Sequence, residues 1–311
     1  MIKKDSSKEN IKKIKTALTI IIVNWNNNKI LQDCLQSIYN TQINYGYEII
    51  VVDNNSEDDS VQLVKNKFVD VKLIENNKNY GFAKANNQAI KMAKADYILL
   101  LNNDTIITHK DFFVKMVRFM QKNPIVGVLG CRLLYPDGTL QSLGEKFPSL
   151  CETFKNQILF FKTWKRLRKN KEKSNVLKRV DYVSGTCLFT RREVFKKVGM
   201  LNEDYFMYGE DVEFCYRVQK AGWEIGVLTG ESIIHLHSKS TEKNLTETLY
   251  HSINNDLKNI KILHKDEFQV LFAKIFHIIG LLFRVFLTIF RKDKKAVDYF
   301  KLLKKILING E

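Results

Sequence analysis

Three apolar segments of the sequence each end in acidic or amide side chains that could bind a cation or a hydroxyl group. The polar residues at these ends are Asn24 and Asn26, Asp53 and Asn55, and Asn102, Asn103 and Asp104. Hard divalent cations such as Mg²⁺ and Mn²⁺ bind one or two protein carboxylates and take other ligands from substrate phosphates and water. Asp104, which ends the third group, is therefore the candidate metal ligand.

Strand-like and helix-like segments alternate from residue 17 to residue 107. Continuous apolar, β-branched runs predict strands at 18–25, 47–55, 71–76 and 97–101. Apolar residues at helical spacing predict helices at 30–38, 56–68 and 83–95. Ser56 would cap the second helix. Such alternation predicts an α/β fold with a doubly wound, mostly parallel sheet, in which ligands bind beyond the carboxyl ends of the strands. All three polar ends are thus expected at one rim.

The second half of the chain is less regular. Its predicted elements are a helix at 111–121, a strand at 124–134, a strand–turn–strand–helix unit at 182–199, a helix at 210–222 and a strand at 233–241. The lysines before ALTIIIV imitate a signal peptide, but this apolar run is short, β-branched and followed by NWNNN. We therefore interpret it as the first core strand.

The turn after the first predicted strand contains no glycine. A dinucleotide site needs a Gly-rich turn there, so that the backbone can approach a pyrophosphate. The sequence also has no GxxxxGK[ST] phosphate-binding loop. Both absences argue against phosphate binding at a Gly-rich helix N-terminus and favour a divalent cation as the group that neutralises phosphate.

Several motifs resemble those of family-2 glycosyltransferases with the GT-A fold. LTIIIVNWNN, EIIVVDNNSEDDS, NYGFAKANNQAI and YILLLNND are similar to the donor-site motifs of that family. VSGTCLFTRREVF, FMYGEDVEFCYR and IIHLHSKS resemble the acceptor half of its rhamnosyltransferase-like branch. The similar motifs span residues 17–241 and occur in the family's order, which is specific for the family and less so for a particular sugar.

The resemblance implies a role for each matching donor-side residue. Asp53 would hydrogen-bond the base or ribose of a nucleoside-diphosphate sugar, and Asn24 and Asn26 would line the nucleoside pocket. Asn102, Asn103 and Asp104 occupy the place of the family's DxD motif, with Asp104 on a Mg²⁺ or Mn²⁺ ion that bridges the diphosphate. Asn102 departs from the motif, and an amide is a weak metal ligand. Asn55 belongs to the same rim, and Lys84 is either a phosphate contact or a solvated lysine.

On the acceptor side, Asp211 matches the family's catalytic base. His235 matches a histidine that meets the metal or diphosphate, with His237 as the competing choice. Gly185, Glu210 and Trp223 are also assigned to this side. Simpler interpretations remain: Asp211 or Glu210 could complement the start of a helix, and Trp223 could serve in packing.

Basic charge is concentrated outside the predicted catalytic core. The whole chain has a net charge of +16, and residues 145–180 hold eleven Lys and Arg against three Glu. Residues 256–311 hold twelve against six acidic residues. Such segments suit an anionic membrane surface, and we expect no nucleic acid partner. Five cysteines without CxxC spacing favour a reducing compartment and argue against a zinc site.

The C-terminal segment contains an apolar helix with a polar stripe. The stripe consists of Lys274, His277, Arg284, Thr288 and Arg291, and aromatic and aliphatic residues fill the wide opposite face. This pattern is typical of a helix that lies in a membrane interface. Packing of the helix against the catalytic domain or a second subunit is the alternative.

Together these features predict a basic leader (1–16), a GT-A catalytic domain (17–250) and a membrane-associated helical segment (251–311). The catalytic domain would divide into a nucleotide-sugar half (17–107) and an acceptor half (108–250). The predicted activity is inverting, metal-dependent transfer of rhamnose, a hexose or an N-acetylhexosamine from a dTDP- or UDP-sugar. A lipid-linked or polysaccharide acceptor at the cytoplasmic face of the membrane is expected, in cell-surface glycan synthesis. The alternatives are a sugar-nucleotide nucleotidyltransferase and a non-catalytic binding protein.

Overall fold

The computed structural model describes residues 16–159, 176–236, 245–291 and 295–308. Within these residues, ten strands form one mixed sheet. The strands are β1 Thr16–Asn24, β2 Gly46–Asp53, β3 Lys72–Glu75, β4 Tyr97–Asn102, β5 Thr105–Ile107, β6 Val126–Leu134, β7 Leu140–Ser142, β8 Leu177–Arg179, β9 Cys187–Arg191 and β10 Glu224–His235. The helices are α1 Asn28–Tyr39, α2 Ser60–Lys67, α3 Gly81–Met92, α4 Phe112–Lys122, α5 Leu150–Gln157, α6 Arg192–Val198, α7 Glu210–Lys220, α8 Leu245–His264, α9 Glu267–Phe290 and α10 Lys295–Ile308.

The strand order is β3-β2-β1-β4-β9-β6-β10-β5, with β7 paired to β6 and β8 to β10. The first four strands in this order are parallel, as the alternation of strands and helices predicts. β9 enters between β4 and β6 and is antiparallel to both, and β5 is antiparallel to β10. The sheet is therefore parallel in its first half and mixed in its second.

Alternate residues of the central strands face two separate apolar cores. Ile20 and Ile22 of β1 pack with α1, α2 and α4 on one face of the sheet. Ile21 of the same strand packs with α3, α6 and α7 on the other face. Because side chains alternate across a strand, a strand covered on both faces must be apolar throughout, which explains the run TIIIV in β1.

Two predicted boundaries were wrong. The helix expected from Ser56 begins at Ser60, because Ser56 binds the end of β2 instead: its backbone N–H and its hydroxyl both donate to Asp53, at 2.8 and 2.7 Å. The strand expected at 233–241 begins at Glu224 and is twelve residues long. Its first part pairs with the start of β6, a partner that local periodicity does not reveal.

Three helices follow the sheet domain and share a small apolar core. Ile253 of α8, Leu281 of α9 and Leu302 of α10 lie at its centre. α8 runs across the boundary predicted between residues 250 and 251. α9 also packs on α5 of the sheet domain, where a Cβ atom at Gly280 would lie 2.8 Å from the Oε1 atom of Gln157.

The orientation of α9 differs from the one expected for a basic stripe in contact with lipid headgroups. His277 of the stripe is buried and binds Asp256 of α8, with 2.8 Å between its Nε2 atom and Oδ2. Arg284 donates to Oε1 of Gln157 at 2.8 Å. His277 and Arg284 of the stripe thus face protein, whereas Arg291 at its end is exposed. The exposed side of α9 is largely apolar, with Phe286 and Phe290 64% and 82% exposed. α9 is long and apolar enough to cross a membrane by length and composition, with a mean hydropathy of 2.1.

Candidate functional site

The polar ends of β1, β2 and β4 lie side by side at one edge of the sheet. Asn24 is paired with Asp53 in the β1–β2 register, and Val23 is paired with Asn102 in the β1–β4 register. The register confirms that the polar strand ends reach one rim. Parallel strands bring their carboxyl ends to the same edge, which explains why residues distant in sequence meet here.

Asn24 links the other two strand ends. Its Nδ2 atom donates to Oδ1 of Asp53 at 3.0 Å, and its Oδ1 atom accepts from Nδ2 of Asn103 at 2.7 Å. The Asn24 side chain is fully buried. An amide at this place can donate to one neighbour and accept from another, which a carboxylate cannot do.

The carboxylate of Asp53 accepts hydrogen bonds from the end of β1 and from the loop that follows β2. Besides Asn24, the Ser56 backbone N–H and hydroxyl donate to its carboxylate, and only 2% of the residue is exposed. The Ser56 hydroxyl also accepts from the backbone N–H of Asn26 at 2.9 Å, and Asn26 Oδ1 accepts from the N–H of Glu57 at 2.7 Å. The two loops that follow β1 and β2 are thus hydrogen-bonded to each other.

A cavity of about 530 Å³ opens beside Asp53. Asn55, at φ 63°, lies in its wall together with Glu57, Asp58 and Glu75. A left-handed backbone is more readily adopted by Asn than by most other non-glycine residues, which suits Asn55 to this tight turn. The acidic side chains in the wall of this cavity would repel a phosphate group.

The loop between Val183 and β9 connects the end of β4 to Asp211. The Asn102 backbone N–H donates to the carbonyl oxygen of Thr186 at 3.0 Å. The backbone N–H of Gly185 donates to Oδ2 of Asp211 at 2.9 Å. A Cβ atom at Gly185 would lie 3.1 Å from the Phe82 ring, so a residue without a side chain allows this close approach. Two hydrogen bonds, through the adjacent residues Thr186 and Gly185, therefore connect Asn102 to Asp211.

Asp211 and Glu210 begin helix α7 in a partly buried setting. Burial raises the pKa of Asp211 above the usual value for an aspartate, and hydrogen bonds from the Gly185 and Val212 N–H groups oppose this rise. Two causes raise the pKa of Glu210 well above its usual value: burial, which is the larger, and the neighbouring Asp211 carboxylate. The Oε2 atom of Glu210 is buried without a hydrogen-bond partner among the described residues. A carboxylate whose pKa is raised toward neutrality is a better proton acceptor than an exposed one.

Asp104 and His235 meet at the pairing of β5 with β10. His235 is in register with Thr105, and its Nε2 atom lies 3.2 Å from Oδ1 of Asp104. The Nδ1 atom of His235 lies 2.9 Å from Oε1 of Gln141 in β7. Since an amide oxygen only accepts, Nδ1 carries the hydrogen and Nε2 faces the carboxylate. His235 occupies this place; His237, the competing choice, lies outside the described residues.

The Asp104–His235 pair offers two ligand atoms that could hold a divalent cation together with ligands from outside the protein. In the described ranges, no cluster of three or more His, Cys, Asp or Glu side chains could hold a metal by itself. One carboxylate and one imidazole nitrogen leave most positions of an octahedral ion for phosphate oxygens and water, as Mg²⁺ sites commonly do. Gln141 would fix the orientation of the imidazole.

Two of the residues assigned from sequence do not join this cluster. Trp223 directly precedes β10, whose first residue, Glu224, pairs with Val126 at the end of the sheet opposite to the rim. The Trp223 side chain packs on Gly127. Packing, the simpler interpretation, accounts for it. Lys84 is exposed on α3, with its ammonium nitrogen 4.8 Å from the centre of the Tyr80 ring.

Sequence reasoning missed the residues that connect the cluster. Ser56 hydrogen-bonds to both Asn26 and Asp53, whereas Thr186 hydrogen-bonds to Asn102 and Gln141 to His235. Ser56 and Thr186 were inside quoted motifs, so their polarity beside a strand end was an available signal. Gln141 was not, because only the pairing of β7 with β6 brings it to His235.

Comparison with known proteins gives a consistent family. The family model described as "Glycosyl transferase family 2" matches residues 19–199. The hexosyltransferase Agl10 of low-salt glycan biosynthesis in Haloferax volcanii is 27% identical over 222 residues, covering 70% of this chain and 66% of that protein. An N-acetylglucosaminyl-diphospho-decaprenol L-rhamnosyltransferase of Mycobacterium tuberculosis is 27% identical over 208 residues, covering 62% of this chain and 67% of that protein.

Solved structures share the fold at low identity. GalNAc-T7 with UDP, GalNAc and Mn²⁺ aligns with a TM-score of 0.57 and 17% identity, over 71% of this chain and 43% of that one. The mannosyltransferase PcManGT of Pyrobaculum calidifontis, in complex with GDP-Man and Mn²⁺, aligns with a TM-score of 0.56 and 14% identity, over 96% and 89%. These likenesses confirm the predicted GT-A fold.

Proposed function

Because this chain belongs to glycosyl transferase family 2, we propose that it transfers a sugar from a nucleoside diphosphate to an acceptor hydroxyl with inversion at the anomeric carbon. The observation that carries the proposal is the hydrogen-bonded rim that joins Asp53, Asn24 and Asn103, and continues through Asn102 and its loop to Asp211. A nucleotide site and a base are thereby held in one structure.

Asp211 is the proposed catalytic base. Its partly buried carboxylate takes the proton of the acceptor hydroxyl as the acceptor oxygen bonds to the anomeric carbon and the bond to the diphosphate oxygen breaks. A single base on the face opposite the leaving group gives inversion. The Gly185 N–H, which donates to Oδ2 of Asp211, aims this carboxylate and leaves its second oxygen to the Val212 N–H and the acceptor.

Asp104 and His235 are the proposed ligands of a Mg²⁺ or Mn²⁺ ion. When bound, the ion stabilises negative charge on the departing diphosphate as a Lewis acid. Asn102 and Asn103 keep the Asp104 turn in place through Thr186 and Asn24. We assign Asn102 to this positioning and to hydrogen bonding of the donor, since its amide is a weak metal ligand.

Rhamnose from a dTDP-linked donor is the leading candidate for the transferred sugar, and UDP-linked hexoses and N-acetylhexosamines are the alternatives. The rhamnosyltransferase and hexosyltransferase relatives support this choice. The acceptor side retains the proposed Asp211, Glu210 and Gly185, without Trp223.

A lipid-linked acceptor at the cytoplasmic face of a membrane is proposed from the C-terminal helices. α9 turns Leu282, Phe286 and Phe290 away from the protein, and α10 exposes Phe300. A large exposed apolar face beside a Lys-rich segment favours an anionic bilayer as its partner. The enzyme would thus sit peripherally on the membrane that holds its acceptor.

A donor panel tests the proposed function. The full chain is incubated with dTDP-rhamnose and with UDP- and GDP-sugars, with and without Mg²⁺ or Mn²⁺, and release of the nucleoside diphosphate is measured. We expect one donor to be turned over only with the metal, and an acceptor extract of membrane lipids to increase release. Absence of both turnover and thermal stabilisation with every donor would refute the proposal.

A further inference from the structure

The segment that leads into Asp211 has an unusual backbone. Tyr208 and Gly209 adopt consecutive positive φ angles of 69° and 89° immediately before α7. For a non-glycine residue such as Tyr208, this conformation is strained and persists only where neighbouring structure holds it. Gly209 is the last residue before the helix, and its carbonyl oxygen accepts the first helical bond, from the N–H of Glu213 at 3.1 Å.

Two asparagines of α8 hold this segment by its carbonyl groups. The Nδ2 atom of Asn255 donates to the carbonyl oxygens of Met207 and Tyr208, at 3.0 and 2.8 Å. The Nδ2 atom of Asn259 donates to the carbonyl oxygen of Gly209 at 3.1 Å. Residues four apart share one face of a helix, so α8 presents both amides to three successive carbonyls. We call this arrangement the asparagine clamp.

The clamp is fitted closely to its target. Oδ1 of Asn259 accepts from the Tyr205 hydroxyl at 2.8 Å, and Asn259 is 2% exposed. A Cβ atom at Gly209 would lie 2.8 Å from Nδ2 of Asn259, so only glycine allows α8 to approach this far. Both polar ends of the Asn259 side chain are therefore used, Oδ1 by Tyr205 and Nδ2 by Gly209.

The donor half of the domain holds the same segment from the other side. The backbone N–H of Phe82, at the start of α3, donates to the carbonyl oxygen of Phe206 at 2.7 Å. A Cβ atom at Gly81 would overlap that oxygen, so a glycine is needed for this close contact. Residues 205–209 are thus fixed between α3, which borders the nucleotide side, and α8, which belongs to the C-terminal helices.

We propose that Asn255 and Asn259 are positioning residues, which place Asp211 for proton transfer by holding the carbonyl groups of residues 207–209. The inference rests on the proposed function, because it takes Asp211 as the base. It gives the C-terminal helices a second task besides membrane contact: α8 shares one apolar core with α9, and it contacts the loop that carries the base.

The test uses Asn255→Leu, Asn255→Asp and Asn259→Asp in the full chain. Leucine and aspartate have no side-chain N–H to donate, and the carboxylate introduced by Asn259→Asp would still accept from the Tyr205 hydroxyl. Asn254→Leu, one residue along the same helix and outside the clamp, is the control. With the donor identified by the panel, kcat, the KM for the donor, release of nucleotide by hydrolysis and the melting temperature are measured for each variant.

We expect the clamp variants to lose roughly 10- to 100-fold in kcat of transfer, since small displacements of a catalytic group cost that much, with donor KM unchanged. Hydrolysis of the donor should fall less than transfer, and Asn254→Leu should match the wild type. If Asn259→Asp fails to fold, the partly exposed Asn255 decides the matter alone.

The inference is overturned if Asn255 variants keep the wild-type kcat. It is equally overturned if kcat, donor KM and melting temperature all change together, because this pattern describes general loosening. An inactive wild-type chain would refute the proposed function and the clamp with it, whereas an active wild type with unaffected clamp variants would refute the clamp alone.

Discussion

The sheet domain and helix α9 differ in the kind of side chain that each of them buries. In the sheet domain, both faces of the central strands are apolar and buried, and polar side chains are collected at the carboxyl rim. In α9, His277 and Arg284 are directed at Asp256 and Gln157, while the aromatic side is exposed. The difference teaches that a helical pattern tells which residues share a face, but not which face the protein covers.

The exposed side of α9 is unfavourable in water. Full burial of a Phe or Leu side chain contributes about 1.5–3 kcal/mol, and α9 leaves a part of this contribution unused at Leu282, Phe286 and Phe290, which are 49%, 64% and 82% exposed. Against a bilayer the same residues would be buried in hydrocarbon. The central strands of the sheet domain therefore bury their apolar side chains within the protein, whereas α9 leaves a large part of its apolar surface exposed.

The largest loss of activity is expected from Asp211→Asn. This variant tests whether the polar rim of the sheet domain holds the catalytic base. An amide cannot take a proton, so transfer should fall by about 10²–10⁴-fold. Donor binding, measured as thermal stabilisation by the donor, should persist because Asn24, Asp53 and their neighbours are unchanged. Unaltered transfer would refute the assignment of the base.

The double variant Phe286→Asp and Phe290→Asp tests the outward side of α9. Two charges on the apolar face should weaken binding to vesicles of phosphatidylglycerol and phosphatidylcholine by roughly 10²-fold or more, from the lost burial of two aromatic rings. Flotation with vesicles measures this loss. Val69→Asp, at a position of the sheet domain that is 78% exposed, is the matched control and should bind as the wild type does. Equal flotation of both variants would show that α9 does not contact the bilayer.

Much of the sheet domain could be predicted because its pattern is local. The β1–α1–β2–α2–β3–α3–β4 alternation follows from apolar runs and helical spacing, and with it the common rim of Asn24, Asp53 and Asn102. The antiparallel insertion of β9 and the early start of β10 could not be predicted, since both depend on pairing between distant segments.

The same limit applies to the site. Carboxylates such as Asp104 and Asp211 are conspicuous beside a strand end or a helix start, whereas Asn255 resembles any other polar residue of a long helix. Trp223 shows the converse error, since a conspicuous side chain lies at the other edge of the sheet. Residue type predicts candidates for chemistry, and only topology selects among them.

A smaller effect is expected from Gln141→Leu, which keeps Asp104 and His235 but removes the acceptor that orients the imidazole. The metal concentration for half-maximal activity should rise about 10- to 100-fold, as for other outer partners of metal-bound histidines. Activity at saturating metal should recover most of the wild-type value. A metal dependence equal to that of the wild type would remove Gln141 and His235 from the metal site. Gln36→Leu, a change at an exposed position of helix α1, serves as control.

The smallest effect concerns pH and separates the rim carboxylates from ordinary exposed ones. Burial raises the pKa of Asp211, and the nearby Glu145 raises it further. The base must be deprotonated, so kcat/KM should fall as pH drops through a pKa above the usual aspartate value. Among the described residues, the titratable groups that interact with Asp211 are Glu210, Glu145, Cys215 and Tyr182, and the Tyr182 hydroxyl donates to Glu145.

Glu145→Gln removes one of these negative charges while retaining an acceptor for Tyr182. The acidic limb of the kcat/KM profile should then move to lower pH, by about half a unit or less for one partly screened charge. A shift in the opposite direction would mean that Glu145 lowers the pKa of the base or that a different group controls this limb. Asp211→Asn distinguishes these two cases, because the residual activity of that variant should lose the acidic limb altogether, whereas a limb set by another group would persist.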